Sequence, residues 1–274
     1  MKTRLIVLID FSADNLFYIA GLWARALKAD LYLIHQVPGL IPSLADGESR
    51  ALIIEEEKKN ALIKLKSKTT SYFPQVKEIQ YHVSEQSIST TINSLPAKNE
   101  GFQNIVITGL KKRGFLEQLI FGSTATRIID DTDYPIIAIP SKITAVLPEK
   151  IILALSYRYP LNHKAYHELL NTFDRTIKQC EIITVITPKD NEAESEAYLQ
   201  RLTSDLQLEI PTTYRLFKGD DHFEEIKNHI VIQSSRSILV VQKGSRTLTD
   251  QIFRKFFINE IVHDGSIPLV VLPL

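Results

Sequence analysis

Asn104 to Pro140 reads NIVITGLKKRGFLEQLIFGSTATRIIDDTDYPIIAIP, and this stretch decides the fold. Ile105-Val106-Ile107 is an all-apolar run closed by Gly109, the pattern of a parallel strand covered on both faces. Gly122-Ser123-Thr124 then precedes Ala125-Thr126-Arg127-Ile128-Ile129. Small and hydroxyl residues thus stand where the free N–H groups of a helix N-terminus can receive an anion, although Thr124 also suits a plain helix start. Tyr134 to Ile139 is a second apolar run. Strand, glycine-bearing loop, helix and strand in this order make one repeat of an α/β sheet, and the loop is the chain's phosphate-binding candidate.

Towards the N-terminus the same alternation continues. Leu5 to Ile9 reads as a buried strand ended by Asp10-Phe11-Ser12, at the kind of strand end where open α/β sheets take ligands. Leu16, Ile19, Ala20, Trp23 and Leu27 recur at spacings of three and four and predict an amphipathic first helix. Leu31 to Val37 is a second strand, broken by Pro38, Gly39 and Pro42. A second helix is expected from about Ser49 to Tyr72, with Glu55 and Lys59 four apart as a pair on its solvated face. Val76 to Val83, Ser87 to Leu95 and Asn104 to Thr108 supply a third strand, a short third helix and a fourth strand. Alternation of this kind implies parallel strands, right-handed crossovers and helices on both faces.

The second half replays the order. Tyr134-Pro-Ile-Ile-Ala-Ile-Pro140 matches Ile267-Pro-Leu-Val-Val-Leu-Pro273 at an offset of 133, and Leu5 to Ile9 matches Ile151 to Leu155 at 146. The second copy is therefore 13 residues shorter, a loss placed mainly in its second helix, between Asp190 and Gln207. Its remaining elements are expected at Ile182 to Ile186, Thr212 to Phe217, Phe223 to Ile232 (a helix), Ile238 to Val241 and Leu269 to Leu272. The fold class is α/β, two tandem doubly wound parallel five-stranded sheets, with units at 1–140 and 150–274 and a linker at 141–149. Both fifth strands are apolar on successive residues, so intramolecular pairing of the two units through these edges is expected, and association into a homodimer stays open.

Lysine plus arginine equals aspartate plus glutamate at 32 each, which argues against nucleic acid or an anionic membrane as partner. Cys180 is the only cysteine, which fits a reducing, cytoplasmic setting. No apolar run is long enough to span a bilayer.

On the residues quoted, the chain resembles the universal stress protein family. That family places a glycine, two residues, a glycine, nine residues and then Gly-Ser or Gly-Thr between its fourth strand and fourth helix, and holds ATP phosphates there. Gly109, Gly122 and Ser123 match in register, whereas Lys112 stands at the middle glycine. The resemblance implies an adenine-nucleotide α-hydrolase-like fold and a site for ATP or another adenine nucleotide in the first unit. Asp10 would meet the base, Val37 would lie beside it, and Gly109, Gly122, Ser123 and Thr124 would hold ribose and phosphates. Asp10 can equally cap the first helix, and Lys111, Lys112 and Arg113 can be a solvated basic loop. In the second unit the corresponding positions are Ser156, Gln242, Ser245, Lys255 and Phe256, so that site is degenerate. The resemblance implies a stress-response binding protein without catalytic activity. The alternative is an interaction or scaffold protein with both sites decayed.

Other chemical signals are thin. His163 and His167 lie four apart without the glutamate of a metalloprotease helix, Asp220-Asp221-His222 reads as a turn and helix start, and Gly244-Ser245-Arg246 is a weak phosphate nest. Cys180 is expected at a helix end, with no environment to make it reactive.

Overall fold

Strand β1 (Lys2–Leu8) has strands on both sides and helices on both faces, so Leu5, Ile6 and Val7 are all fully buried although successive side chains point opposite ways. The computed structural model describes residues 2–11, 14–37, 47–73, 76, 78–95, 101–110, 128, 131–140, 142–143, 147–155, 157, 160–186, 190–218, 228–230, 232, 236–243 and 267–274. After β1 come α1 (Asp14–Leu27), β2 (Asp30–Gln36), α2 (Gly47–Tyr72), β3 (Ile79–Ser84), α3 (Ile88–Asn93), β4 (Phe102–Leu110) and β5 (Ile136–Pro140). The second half contains β6 (Lys150–Ala154), α4 (His163–Thr172), β7 (Gln179–Ile186), α5 (Glu192–Gln207), β8 (Thr212–Lys218), β9 (Ser237–Gln242) and β10 (Leu269–Leu272). None of the described helices is long and apolar enough to cross a membrane.

The helices form for local reasons the sequence carries. On α1, Leu16, Ile19, Ala20 and Trp23 are buried against the sheet. Helix α3 is capped by Ser87, whose hydroxyl accepts the Thr90 N–H at 3.1 Å, and α4 by Asn162, whose side-chain oxygen accepts the Ala165 N–H at 3.0 Å. Helix α5 has 16 residues against 26 in α2, so this helix carries most of the shortening of the second copy.

All ten described strands lie in one sheet, in the order β3-β2-β1-β4-β5-β10-β9-β6-β7-β8. Every neighbouring pair is parallel except β5 and β10, which run antiparallel with Leu269 opposite Ala138 and Val271 opposite Ile136. Each half thus has the doubly wound order 3-2-1-4-5, and the two join edge to edge. The registers repeat at the offsets read from the sequence: Leu8 faces Thr108 as Ala154 faces Val241, and Gly109 faces Ile139 as Gln242 faces Leu272. One sheet face packs against α1, α2, α4 and α5 in a core continuous across both halves, where the Trp23 and Phe173 rings meet edge to face at 5.5 Å. The other face buries Ile92, Ile128 and Ile230.

Two expectations need correction. Cys180 does not end a helix: α4 stops at Thr172, turns follow, and Cys180 is the second residue of β7, 2% exposed. The strand's start is obscured in the sequence by Glu181, a charge that is tolerated in the sheet because Lys150 on β6 meets it at 2.6 Å. On α2, the Glu55 carboxylate pairs with Lys58 at 2.8 Å, three residues on, rather than with Lys59.

Candidate functional site

The order 3-2-1-4-5 reverses direction between β1 and β4, and such a switch point opens a crevice beyond the carboxyl ends of those strands. Asp10 lies two residues beyond the end of β1 and is exposed. Val37 follows β2; its side chain is 2% exposed and its N–H donates to the Ser84 carbonyl at 3.0 Å. Gly109 lies near the end of β4, half-buried, opposite Ile139. These three candidates therefore share one edge of the sheet. Gly122, Ser123 and Thr124 lie outside the described residues, as do Lys111, Lys112 and Arg113.

The first connection is braced at this edge by residues that the sequence reading passed over. The Ile9 N–H donates to the Ile34 carbonyl at 2.8 Å, and the Ile9 carbonyl lies 2.7 Å from His35 Nδ1. The chain then turns at Phe11, whose φ of 63° is costly for a residue with a Cβ, by about 1–2 kcal/mol. The ring is held in exchange: its centroid lies 4.5 Å from that of His35, and Lys64 Nζ of α2 stands 4.4 Å over its face. Asp10 immediately precedes this braced turn. Asn15 of α1 donates to the Pro140 carbonyl at 3.2 Å and ties the helix start to the end of β5. Only the pairing of Asp10 with Ser12 hinted at a turn here; a positive φ at phenylalanine has no sequence signature.

The second half has a side chain in the equivalent place. Gln242, in the register position of Gly109, accepts the Asn162 N–H at 2.9 Å through Oε1 and donates through Nε2 to the Pro273 carbonyl at 2.6 Å. Asn162 also donates to that carbonyl at 3.3 Å. The crevice between β6, β9 and α4 is thus laced shut at the level where β4 offers a bare glycine backbone. Ser156, Ser245, Lys255 and Phe256 lie outside the described residues, as do Asp220, Asp221, His222 and Gly244.

His167 Nδ1 meets Glu209 at 2.8 Å on the surface, with the His163 ring 6.3 Å away. Among the described residues no group of three or more His, Cys, Asp or Glu is placed to hold a metal. Burial pushes the Cys180 thiol up to about 12, which keeps it protonated and unreactive at neutral pH.

No curated protein matches the chain in sequence. Among solved structures it is similar to a universal stress protein from Archaeoglobus fulgidus, at TM-score 0.69 and 12% identity over 98% of each chain. A putative universal stress protein from Pseudomonas aeruginosa follows, at TM-score 0.57 and 12% identity over 99% of this chain and 93% of that one. The cytoplasmic domain of a prokaryotic cation chloride cotransporter gives TM-score 0.53 and 12% identity over 99% and 95%. At these identities the likeness concerns the fold. The sequence model of the universal stress protein family matches residues 1–140, half of the chain, and with the doubly wound order and crevice just described this shows that the chain belongs to the universal stress protein family.

Proposed function

We propose that the chain is a tandem, non-catalytic universal stress protein of the cytoplasm, with one site for ATP or another adenine nucleotide in residues 1–140 and none in residues 150–274. The observation that carries this reading is the asymmetry at one register position. Gly109 leaves the backbone of β4 open to close approach, whereas Gln242 fills and bonds across the same place in β9. Asp10 is exposed at the base end of the crevice, and Gly122, Ser123 and Thr124 are the phosphate-holding residues of the proposal. Lys112 at the middle glycine supports a second reading, an interaction protein with both sites decayed.

Mass spectrometry of small molecules released from the denatured protein, together with calorimetric titration of ATP, tests the first reading. One nucleotide per chain is expected, with loss of binding in Gly122→Lys, which copies Lys255. Unchanged affinity in that variant removes the loop from the site. Absence of any nucleotide and of any titration heat leaves the interaction protein.

A further inference from the structure

Helix α2 is the longest of the described helices, and its two sides differ in character. Its buried residues are Ile54, Ala61, Leu65 and Thr69, spaced by seven, four and four along one line that faces the core. Leu52, Glu56, Lys59 and Ile63 are spaced by four, three and four along a second line. At about 100° per residue this second line lies on the opposite side of the helix from the first. All four residues are exposed, Leu52 at 68% and Ile63 at 58%. One exposed leucine needs no cover, but two large aliphatic side chains about 16 Å apart on the outer line, with an anion and a cation between them, form a stripe.

Spacings of four, three and four are those of the seam between two packed helices. The order along this seam is aliphatic, anion, cation, aliphatic, and its reverse is its complement. A second α2 laid antiparallel, with a twofold axis between Glu57 and Lys58, brings Leu52 to Ile63 of the second copy and Glu56 to Lys59 of the second copy, and each contact occurs twice. A parallel arrangement would set Glu56 on Glu56 and Lys59 on Lys59 and repel. The two charges are available for this use: Lys58 pairs with Glu55 at 2.8 Å, whereas neither Glu56 nor Lys59 forms an ion pair with another described residue. The apolar edges β5 and β10 are already used, since they join the halves within one chain, so association of whole chains needs a different surface.

We propose that the outer face of α2 docks a second copy of this chain, antiparallel about a twofold axis, with the Glu56–Lys59 pairs at its centre and the Leu52–Ile63 contacts at its ends. A twofold contact requires one patch that complements itself, and this stripe meets that condition with no residue from elsewhere. About three turns of helix on each copy bury less than the roughly 1,200 Å² in total of a standard interface, so the dimer is weak and reversible. It forms whether or not residues 1–140 hold a nucleotide.

Sedimentation velocity of the full chain over rising protein concentration tests it. Wild type is expected to show a reversible monomer–dimer equilibrium. Glu56→Lys makes the centre of the seam wholly cationic and Lys59→Glu makes it wholly anionic. Each variant alone repels its own copy, and because the axis doubles every change, each weakens the dimer at least about tenfold. Mixed in equal amounts, the two variants present opposite charges to each other and recover association as a mixed dimer, a result that no folding defect in either variant would produce. A wild-type chain that stays monomeric at the highest concentration, a dimer unchanged by either reversal, or a mixture no more associated than its two parts overturns the proposal.

Discussion

Gln242 accepts the backbone N–H of Asn162 at 2.9 Å, joining the end of β9 to the cap of α4. In the first half no side chain can make this bond, because Gly109 holds that register position; the start of α1 is tied instead by Asn15 to Pro140 at 3.2 Å. The halves thus share a backbone plan and differ in whether the crevice is bridged. Gly109→Gln should carry the bridge into the first half and weaken ATP at least tenfold in calorimetric titration. Gln242→Gly should cost about 1–2 kcal/mol in urea unfolding, since it strips a partner from the Asn162 N–H and the Pro273 carbonyl. Equal ATP affinity in Gly109→Gln and wild type would show that the β4 backbone is not part of the site.

Gly21 of α1 lies tight against the end of α2. A Cβ there would stand 2.2 Å from the Phe73 ring and 2.9 Å from the Tyr72 carbonyl. Alanine normally favours a helix over glycine by about 1 kcal/mol, but here overpacking of about 1–3 kcal/mol opposes that gain. The backbone oxygen of Tyr72 cannot swing aside as a side-chain tip can, so the overpacking term wins. Gly21→Ala should lower the urea midpoint, and a raised midpoint would mean that α1 and α2 separate freely.

How much of this was legible depends on which interaction sets each element. Leu16, Ile19, Ala20 and Trp23 announce α1 because one periodic face meets one core. The registers of β1, β3, β4 and β5 were legible for a related reason: the repeat offsets at Leu5 and Tyr134 carry them onto β6, β8, β9 and β10, whereas Leu31 of β2 goes onto Cys180 of β7 at 149. The sequence puts Cys180 at a helix end, whereas it stands in β7 beside Glu181, a charge that cross-strand Lys150 and Arg215 meet and that no local spacing announces. At the candidate site, Asp10 and Gly109 were visible as residue types at strand ends, whereas the Phe11–His35–Lys64 stack depends on a backbone angle and on a lysine more than fifty residues away. The Gln242 bridge needed three-dimensional proximity to Asn162 and Pro273, which no spacing encodes.

Glu181 ties together three strands and a helical segment: Lys150 on β6 at 2.6 Å, His229 at 3.1 Å and Arg215 on β8 at 3.6 Å. Burial pushes its pKa up, but the hydrogen bond and charge of Lys150, then His229, outweigh this and hold it below the ordinary glutamate value. A depressed carboxylate stabilises the fold above its unfolded pKa and loses that contribution as pH falls through the folded one. Stability should therefore decline as pH drops below the usual glutamate range, and Glu181→Gln should flatten this part of the profile. At neutral pH the same variant should cost about 3 kcal/mol, the low end for stripping a buried ion of its partner, as Arg215 keeps contact with water. An acid limb of equal slope in both proteins would assign the loss to other carboxylates.

Trp23 and Phe173 meet across the junction of the halves at 5.5 Å and 88°. Truncating either to alanine should cost about 3–5 kcal/mol by cavity formation. A double-mutant cycle isolates the ring contact, and a coupling of about 0.5–1.5 kcal/mol is expected for an edge-to-face pair. Since α1 and α4 belong to different halves, that coupling also shows whether they unfold together: a single transition in wild type that splits in two in Trp23→Ala marks this contact as the link, and zero coupling would leave the β5–β10 pair as the connection.

Lys112 stands where the family's loop has its middle glycine. A glycine there frees the backbone for φ > 0 or for close approach to a phosphate, and a lysine forced to that angle costs roughly 1 kcal/mol or more. If the strain falls on the bound state alone, it corresponds to about a fivefold loss of affinity. Lys112→Gly should then tighten ATP by that factor, while Lys112→Ala, which removes the ammonium and keeps the Cβ, should leave it near the wild-type value. Weakening in both variants would show the ammonium on a phosphate rather than strain in the loop. Weakening in the alanine variant with tightening in the glycine variant would show both effects at once, with strain the larger. No titration heat in wild type, Lys112→Ala or Lys112→Gly would mean that the first half binds no nucleotide, and the protein would act through its surfaces.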